Sequence, residues 1–276
     1  KPNLLQTLEH TPVIVHAGPF GNIAHGNSSI IGDLIGERCG DYLITEAGFG
    51  ADMGAERFFN IKCRTSGMVP DAAVLVATVR ALKAHSGKFK IVAGKPLPAD
   101  LLAENPDDVR AGAANLIKQI ENVKVHGVSP VVAINAFPGD FASEHQAIRE
   151  IAESVGARVA VCTHFSDGGK GATELAQAVV EACDEPSNFQ FCYEADDSLK
   201  TKIEKVATKI YGAANVTYSA AANTQLARYE ANGFGNLPVC IAKTHLSISA
   251  DASLKGAPTG HTVNVREVRA SVGAGF

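Results

Sequence analysis

The chain has 276 residues, is 46% hydrophobic and 20% charged, and carries a formal net charge of −4. That supplies apolar mass for one large domain or two smaller ones. The weak negative charge excludes a global basic field of the kind that gathers nucleic acid, and no apolar run approaches the ~20 residues of a membrane span. Six cysteines, Cys39, Cys63, Cys162, Cys183, Cys192 and Cys240, form no C-x-x-C pair. Reduced thiols in a cytoplasmic protein are therefore expected, not disulfides or a metal knuckle. Lys1 at one end and the apolar, glycine-rich Val268–Phe276 at the other read as cut points within a longer structured protein.

In chain order, Val13–His16, Tyr42–Thr45 and Val74–Thr78 read as short buried strands. Pro106 to Val123 carries apolar residues at three-to-four spacing and reads as a helix. Val131–Asn135 and Arg158–Thr163 are again strands, with helices over His145 to Val155 and Glu174 to Ala182. Runs of about five Val- and Ile-rich residues with little alternation suit parallel strands covered on both faces. Strands alternating with helices give βαβ units, hence an α/β doubly wound sheet. From about Asn188 the texture changes. Helices are expected over Ser198–Tyr211 and Ala220–Asn232, with short strands at Val216–Tyr218, Val239–Ala242 and Val263–Val268, as in a smaller α/β lobe. A further boundary falls at residues 125 to 130.

Ligands of open α/β sheets bind at the carboxyl ends of strands, and polar, glycine-rich stretches sit at those places here. In His16–Asp33 a strand runs into glycines followed by Asn22, His25, Asn27 and Ser28. Such a loop can let a backbone approach an anion, or can simply turn the chain, with Asn27 or Ser28 as helix caps. In Thr45–Arg64, Glu46 directly follows an apolar run and can hold Mg²⁺ or its water. Asp52 and Glu56 lie four apart on the next helix, where ordinary capping and solvated charge fit them well. Arg57 and Arg64 have the reach for phosphate. In Asn135–Asp140, Phe137 precedes Pro138 and is held extended. Its ring is either core or one wall of a slot for a flat heterocycle. Phe165 follows the next strand, with two glycines and Lys170 behind it. Asn135 and Asp140 are candidate polar partners for the edge of such a ligand. Cys162 and His164 share a strand end but lack an oxyanion loop and a third partner, which argues against cysteine nucleophilic catalysis. No G-x-x-x-x-G-K-[ST] phosphate loop occurs in the chain.

Several long stretches resemble the formate–tetrahydrofolate ligase family. They are Thr11–Ser29 (TPVIVHAGPFGNIAHGNSS), Asp41–Arg64 (DYLITEAGFGADMGAERFFNIKCR), Val76–Gly87 (VATVRALKAHSG, with Ser86 at a usual glycine), Val131–Asp140 (VVAINAFPGD), Gly235–Ala242 (GNLPVCIA) and Arg266–Phe276 (REVRASVGAGF). The resemblance runs through essentially the whole chain in order. It implies a P-loop-NTPase-like, parallel-sheet nucleotide domain, incomplete here, followed by smaller α/β domains. The expected division is 1–125 for the rest of the nucleotide domain, 126–190 for folate and 191–276 for a smaller, incomplete C-terminal domain.

The resemblance also implies a reaction. Formate is activated by ATP to formyl phosphate, and N10 of tetrahydrofolate then takes the formyl group. The implied substrates are tetrahydrofolate, formate and Mg-ATP, with a monovalent cation promoting activity and no tightly bound prosthetic group. Phe137 and Phe165 take the places of the two aromatics that sandwich the pterin, the second of which is commonly Trp in relatives. His25, Glu46 and Arg80 are the expected catalytic residues, Glu46 also the metal ligand. Asn22, Asn27, Ser28 and Asp52 are expected at the nucleotide. From the residues themselves, His25, Asn22 and Glu46 each follow an apolar run or sit in the glycine-rich exit loop. They are therefore expected in one cleft with Arg80 or Lys83, at the carboxyl ends of parallel strands or in the loops just after them, unless Arg80 lies one helical turn into its helix. A cytoplasmic homo-oligomer is implied. The family's P-loop lies in an N-terminal part not present in this sequence, so the segment alone is expected to be inactive. A non-catalytic folate- or nucleotide-binding module is the alternative.

Overall fold

The computed structural model describes residues 1–16, 27–92 and 94–276, which form two compact units. Residues 1–69, 191–245 and 260–276 make the first unit; residues 70–190 and 246–259 make the second. Among the described residues no helix is long and apolar enough to cross a membrane.

The first unit opens with β1 (Asn3–Gln6) paired antiparallel to β2 (Pro12–Val15). The run expected as a buried parallel strand is thus one arm of an exposed hairpin. Helix α1 (Ile30–Glu37) follows, capped by the Ser29 hydroxyl, which accepts from Gly32 N at 3.0 Å. Tyr42–Thr45, expected as a strand, is irregular, and Tyr42, Leu43 and Ile44 are exposed. A strand exists only where a neighbour pairs its backbone groups, and among the described residues none does so here. Residues 51–66 then form a helical stretch, widened to π-type turns over Ala51–Ala55 and Phe58–Cys63. Gly54 lets the preceding loop cross it closely: a Cβ there would lie 1.9 Å from the Gly48 carbonyl oxygen.

The second unit is built on three parallel strands, β3 (Ala72–Ala77), β4 (Ser129–Asn135) and β5 (Arg158–Cys162), in that order across the sheet. The architecture is therefore α/β with a parallel sheet, as the Val-rich runs indicated. Between the strands lie α2 (Val79–His85), α3 (Pro106–Ala111), α4 (Ala113–Lys124) and α5 (Ala142–Ser154), and α6 (Thr173–Cys183) follows β5. The helix expected over Pro106 to Val123 is two helices joined at Gly112. A Cβ at that residue would lie 1.7 Å from the Leu82 carbonyl oxygen, so α2 and the joint meet backbone to backbone. Val132 and Ile134 of β4 pack with Val109, Ile120 and Ile148 in the core. β4 is buried along nearly its whole length because it is central, whereas β3 is an edge and leaves Val74 and Val76 exposed.

The first unit is completed by α7 (Leu199–Lys209), β6 (Asn215–Tyr218), α8 (Ala220–Ala231) and β7 (Thr262–Val265). β6 and β7 pair in parallel. Leu199, Ile203 and Leu226 form their shared core, with Val239 and Ile241 against it. Val239–Ala242, expected as a strand, is irregular. Side chains satisfy its backbone in place of a ladder: Val239 N donates to the Tyr193 hydroxyl at 3.1 Å, and Arg57 donates to the Ile241 carbonyl.

Candidate functional site

In the second unit, β4 and β5 deliver the two candidate aromatics to the same edge. Asn135 is level with Cys162 in the register, so Phe137 and Phe165 both follow just beyond the carboxyl ends of neighbouring strands. Phe137 is 37% exposed and Phe165 82% exposed, too open for core residues. Phe137 sits in a tight Phe-Pro-Gly-Asp turn. Its N–H donates to Asp140 Oδ2 at 3.0 Å, and its carbonyl accepts from Asp140 N at 3.0 Å. Gly139 has φ +136°, a conformation that side chains rarely adopt. Phe165 lies in a single helical turn, His164–Asp167, whose loop is tied at its base by Thr163 N donating to the Gly171 carbonyl at 2.9 Å. Neighbouring strands lie about 4.8 Å apart, and two stacking distances need roughly 7 Å. Loop geometry must therefore spread the rings if a flat ligand is to enter between them. Asn135, the last residue of β4, is at the same edge.

Arg80 approaches Phe137 from α2. Thr78 caps that helix by accepting from Ala81 N at 3.1 Å, which places Arg80 in its first turn. The guanidinium carbon lies 4.7 Å from the Phe137 ring centre, a cation–π contact. Arg80 also lines a small cleft with Val79, Lys83, Leu101, Gly139 and Asp140.

Beneath the cleft is a buried ion pair that sequence reasoning missed. Lys83 of α2 and Glu144 of α5 are each 1% exposed and in direct contact. Lys83 Nζ also donates to the carbonyls of Leu101 at 3.2 Å and Ala103 at 2.7 Å, and Glu144 accepts from Asn105 N at 2.9 Å. The pair therefore ties α2, α5 and the segment between them into one frame. Lys83 recurs on the buried face of α2, one turn after Val79, which was a usable signal for the lysine. Glu144 lacked one, because an acid in the first turn of a helix ordinarily faces water. His145 was also missed; its Nε2 lies 3.5 Å from Asp140 Oδ2.

The first unit holds the remaining described candidates. His25 and Asn22 lie outside the described residues. Glu46 is exposed, and its carbonyl accepts from the Asn27 amide. Asn27 is buried and also receives Lys62 and Thr45 on its side-chain oxygen. Ser28 donates to Asp33 at 3.3 Å. Among the described residues no three His, Cys, Asp or Glu side chains converge as a metal site. Glu46 belongs to this unit, and Arg80 and Lys83 to the other.

Asp52 and Glu56 are not solvated helix charges. Asp52 is buried and pairs with Lys243 at 2.6 Å. Glu56 is 1% exposed and accepts from Asn60 Nδ2 at 2.7 Å through one oxygen, while its Oε2 is left without a partner. Burial pushes the Glu56 carboxyl up to about 7, against the opposing pull of the Asn60 hydrogen bond and the Arg57 charge. Arg64 stacks on Phe191, with its guanidinium carbon 3.9 Å from the ring centre, and donates to the Tyr193 carbonyl at 2.6 Å.

Comparison with known proteins decides the family. The profile described as formate–tetrahydrofolate ligase matches residues 1–276. The chain belongs to the formate–tetrahydrofolate ligase family. It is 71% identical over its whole length to a formate–tetrahydrofolate ligase of Saccharopolyspora erythraea, covering 49% of that protein. It is 63% identical to one of Cutibacterium acnes, again covering 49%, and 57% identical to one of Chloroflexus aurantiacus, covering 49%. This member of the family thus spans about half the length of the curated relatives it matches.

Proposed function

We propose that the chain carries the folate-binding half of an ATP-dependent formate–tetrahydrofolate ligase, with Phe137 and Phe165 as the walls of the pterin slot. The observation that carries this reading is the pair of exposed aromatics just beyond the register-matched ends of β4 and β5, in a chain matched throughout by that family. Asp140 and Asn135 are the polar partners for the ring edge. In this reading residues 126–190 serve folate, residues 1–125 complete a P-loop-type nucleotide domain and residues 191–276 form a smaller domain.

The reaction is formylation of N10 of tetrahydrofolate through formyl phosphate, in a cytoplasmic homo-oligomer, with Mg-ATP and formate as co-substrates and a monovalent cation assisting. His25, Glu46 and Arg80 act at the reacting groups, and Asn22, Asn27, Ser28 and Asp52 on the nucleotide side. Glu46 is an exposed carboxylate, with no metal-type cluster around it among the described residues. It suits Mg²⁺ only in the usual manner of that ion, which takes one or two carboxylates and completes its shell with water and phosphate oxygens.

Two measurements test the reading. Phe137→Ala should weaken tetrahydrofolate binding by about 1–3 kcal/mol, the range for loss of one aromatic stacking partner, with the melting temperature retained. Unchanged affinity in calorimetric titration would return Phe137 to a packing role. The chain alone, supplied with Mg-ATP, formate and a monovalent cation, should form no 10-formyltetrahydrofolate, because its sequence holds no Walker-type phosphate loop. Turnover on the order of 10 per second, ordinary for enzymes, would overturn that part.

A further inference from the structure

Among the described residues, the Arg80 guanidinium has a ring beside it and no hydrogen-bond acceptor. It lies against Phe137, its Nε is buried without a hydrogen-bond partner, and it forms no ion pair among the described residues. A guanidinium cannot shed its charge and carries five N–H donors in a fixed fork. Leaving its buried Nε without an acceptor is costly.

Among the described residues, neither carboxylate lining the cleft is paired with Arg80. The two carboxylates lining the cleft are Asp140 and Glu144. Asp140 meets the Phe137 N–H and His145 through Oδ2 alone and forms no ion pair with Arg80 among the described residues. Glu144 is taken by Lys83, Asn105 N and Phe141 N. Lys83 is itself satisfied by Glu144 and two carbonyls. Among the described residues lining this cleft, Arg80 is thus the cation whose donors remain open.

We propose that Arg80 joins an oxyanion site to the flat-ring slot: one face of its guanidinium packs on Phe137 while its open N–H groups hold a carboxylate or phosphate in the cleft. This rests on the reading of Phe137 as a ring-binding wall. An oxyanion on the fork fixes the guanidinium plane, and that plane backs the Phe137 ring. The wall is then already set when the heterocycle arrives, and less ordering remains to oppose its binding. Anion and ring strengthen each other, and reciprocity requires the same factor in both directions. Formate and phosphate share the required chemistry.

The test is calorimetric titration of the 276-residue chain with tetrahydrofolate at constant ionic strength, in chloride alone, with inorganic phosphate, and with formate. At least one oxyanion should tighten binding about 5-fold or more, the lower end of ordinary coupling between sites; which one does so names the source. Arg80→Met keeps the aliphatic stem over the ring but lacks the fork, and should lose the coupling. Arg80→Lys keeps a charge without the bidentate fork and should recover only part of it. Should Arg80→Met fold poorly, Arg80→Gln provides the same comparison. No oxyanion effect in the wild-type chain, with Phe137→Ala still weakening tetrahydrofolate, would overturn this inference and leave the slot standing. No effect of Phe137→Ala would remove the slot and this inference together.

Discussion

The helical stretch 51–66 of the first unit buries Asp52, Glu56, Arg57 and Lys62, whereas the second unit buries Val and Ile in its core and keeps the Lys83–Glu144 pair apart from that cluster. In the first case charge fills the interior of a helix, and the partners come from distant sequence: Lys243 for Asp52, the Ile241 carbonyl for Arg57, Asp33 for Lys62. In the second case the core is aliphatic and the ion pair sits at its rim, under a small cleft. The difference teaches that buried charge serves two ends. It can hold separate segments together where no sheet does so, and it can hold the frame around a site. In both cases removing one partner is expensive, because the other stays behind in a poor solvent.

The largest expected effect comes from breaking the rim pair. Lys83→Met alone should cost about 3–5 kcal/mol in urea unfolding, the usual cost of orphaning a buried charge. The double replacement Lys83→Met with Glu144→Leu should recover much of that loss, since an apolar pair of similar volume substitutes well. A double variant as unstable as the single would show that the carbonyl and N–H partners, not the ion pair, hold the frame.

A smaller effect, and one that separates the two regions, is the pH response of Glu56. Its carboxyl titrates near 7 in the folded chain against an ordinary 4.5, so the folded state binds the proton more tightly. Stability is fully present below about 4.5 and falls as pH rises to about 7. Glu56→Gln mimics the protonated form. It should leave stability at pH 4.5 nearly unchanged and raise it at pH 8 by on the order of 2–3 kcal/mol. Equal effects at both pH values in denaturant titrations would mean that Glu56 stays charged. The smallest effect is at the slot. Phe165→Trp should leave tetrahydrofolate affinity equal or improve it by up to about 1 kcal/mol, through added stacking area, and calorimetry on the slot variants reads it directly.

The second unit was the more legible in sequence. Val131–Asn135 announced β4 because a central parallel strand is apolar on both faces, and Arg158–Thr163 announced β5 for the same reason. Their order carried Phe137 and Phe165 to one edge without further information. Tyr42–Thr45 has the same composition and is not a strand, because composition does not supply a neighbour. Val239–Ala242 failed for a different cause: Tyr193 and Arg57 satisfy its backbone from remote sequence. Asp52 and Glu56 read as solvated because their four-residue spacing is that of a surface pair. What buries them is the convergence of Tyr193, Tyr211 and Lys243, and those contacts exist only after folding. Arg80 was named from its place after the apolar run of β3, but its contact with Phe137 and its open donors needed coordinates.

Gly112 has no side chain to offer a ligand, yet it fixes how deeply α2 seats, since a Cβ there would collide with the Leu82 carbonyl two residues from Arg80. A saturation scan scored on growth should therefore record residue 112 as a functional hotspot, with even alanine depleted. A reader of that scan alone would look for a contact that does not exist. What the scan would have registered is altitude: the height at which one helix carries its arginine past a ring.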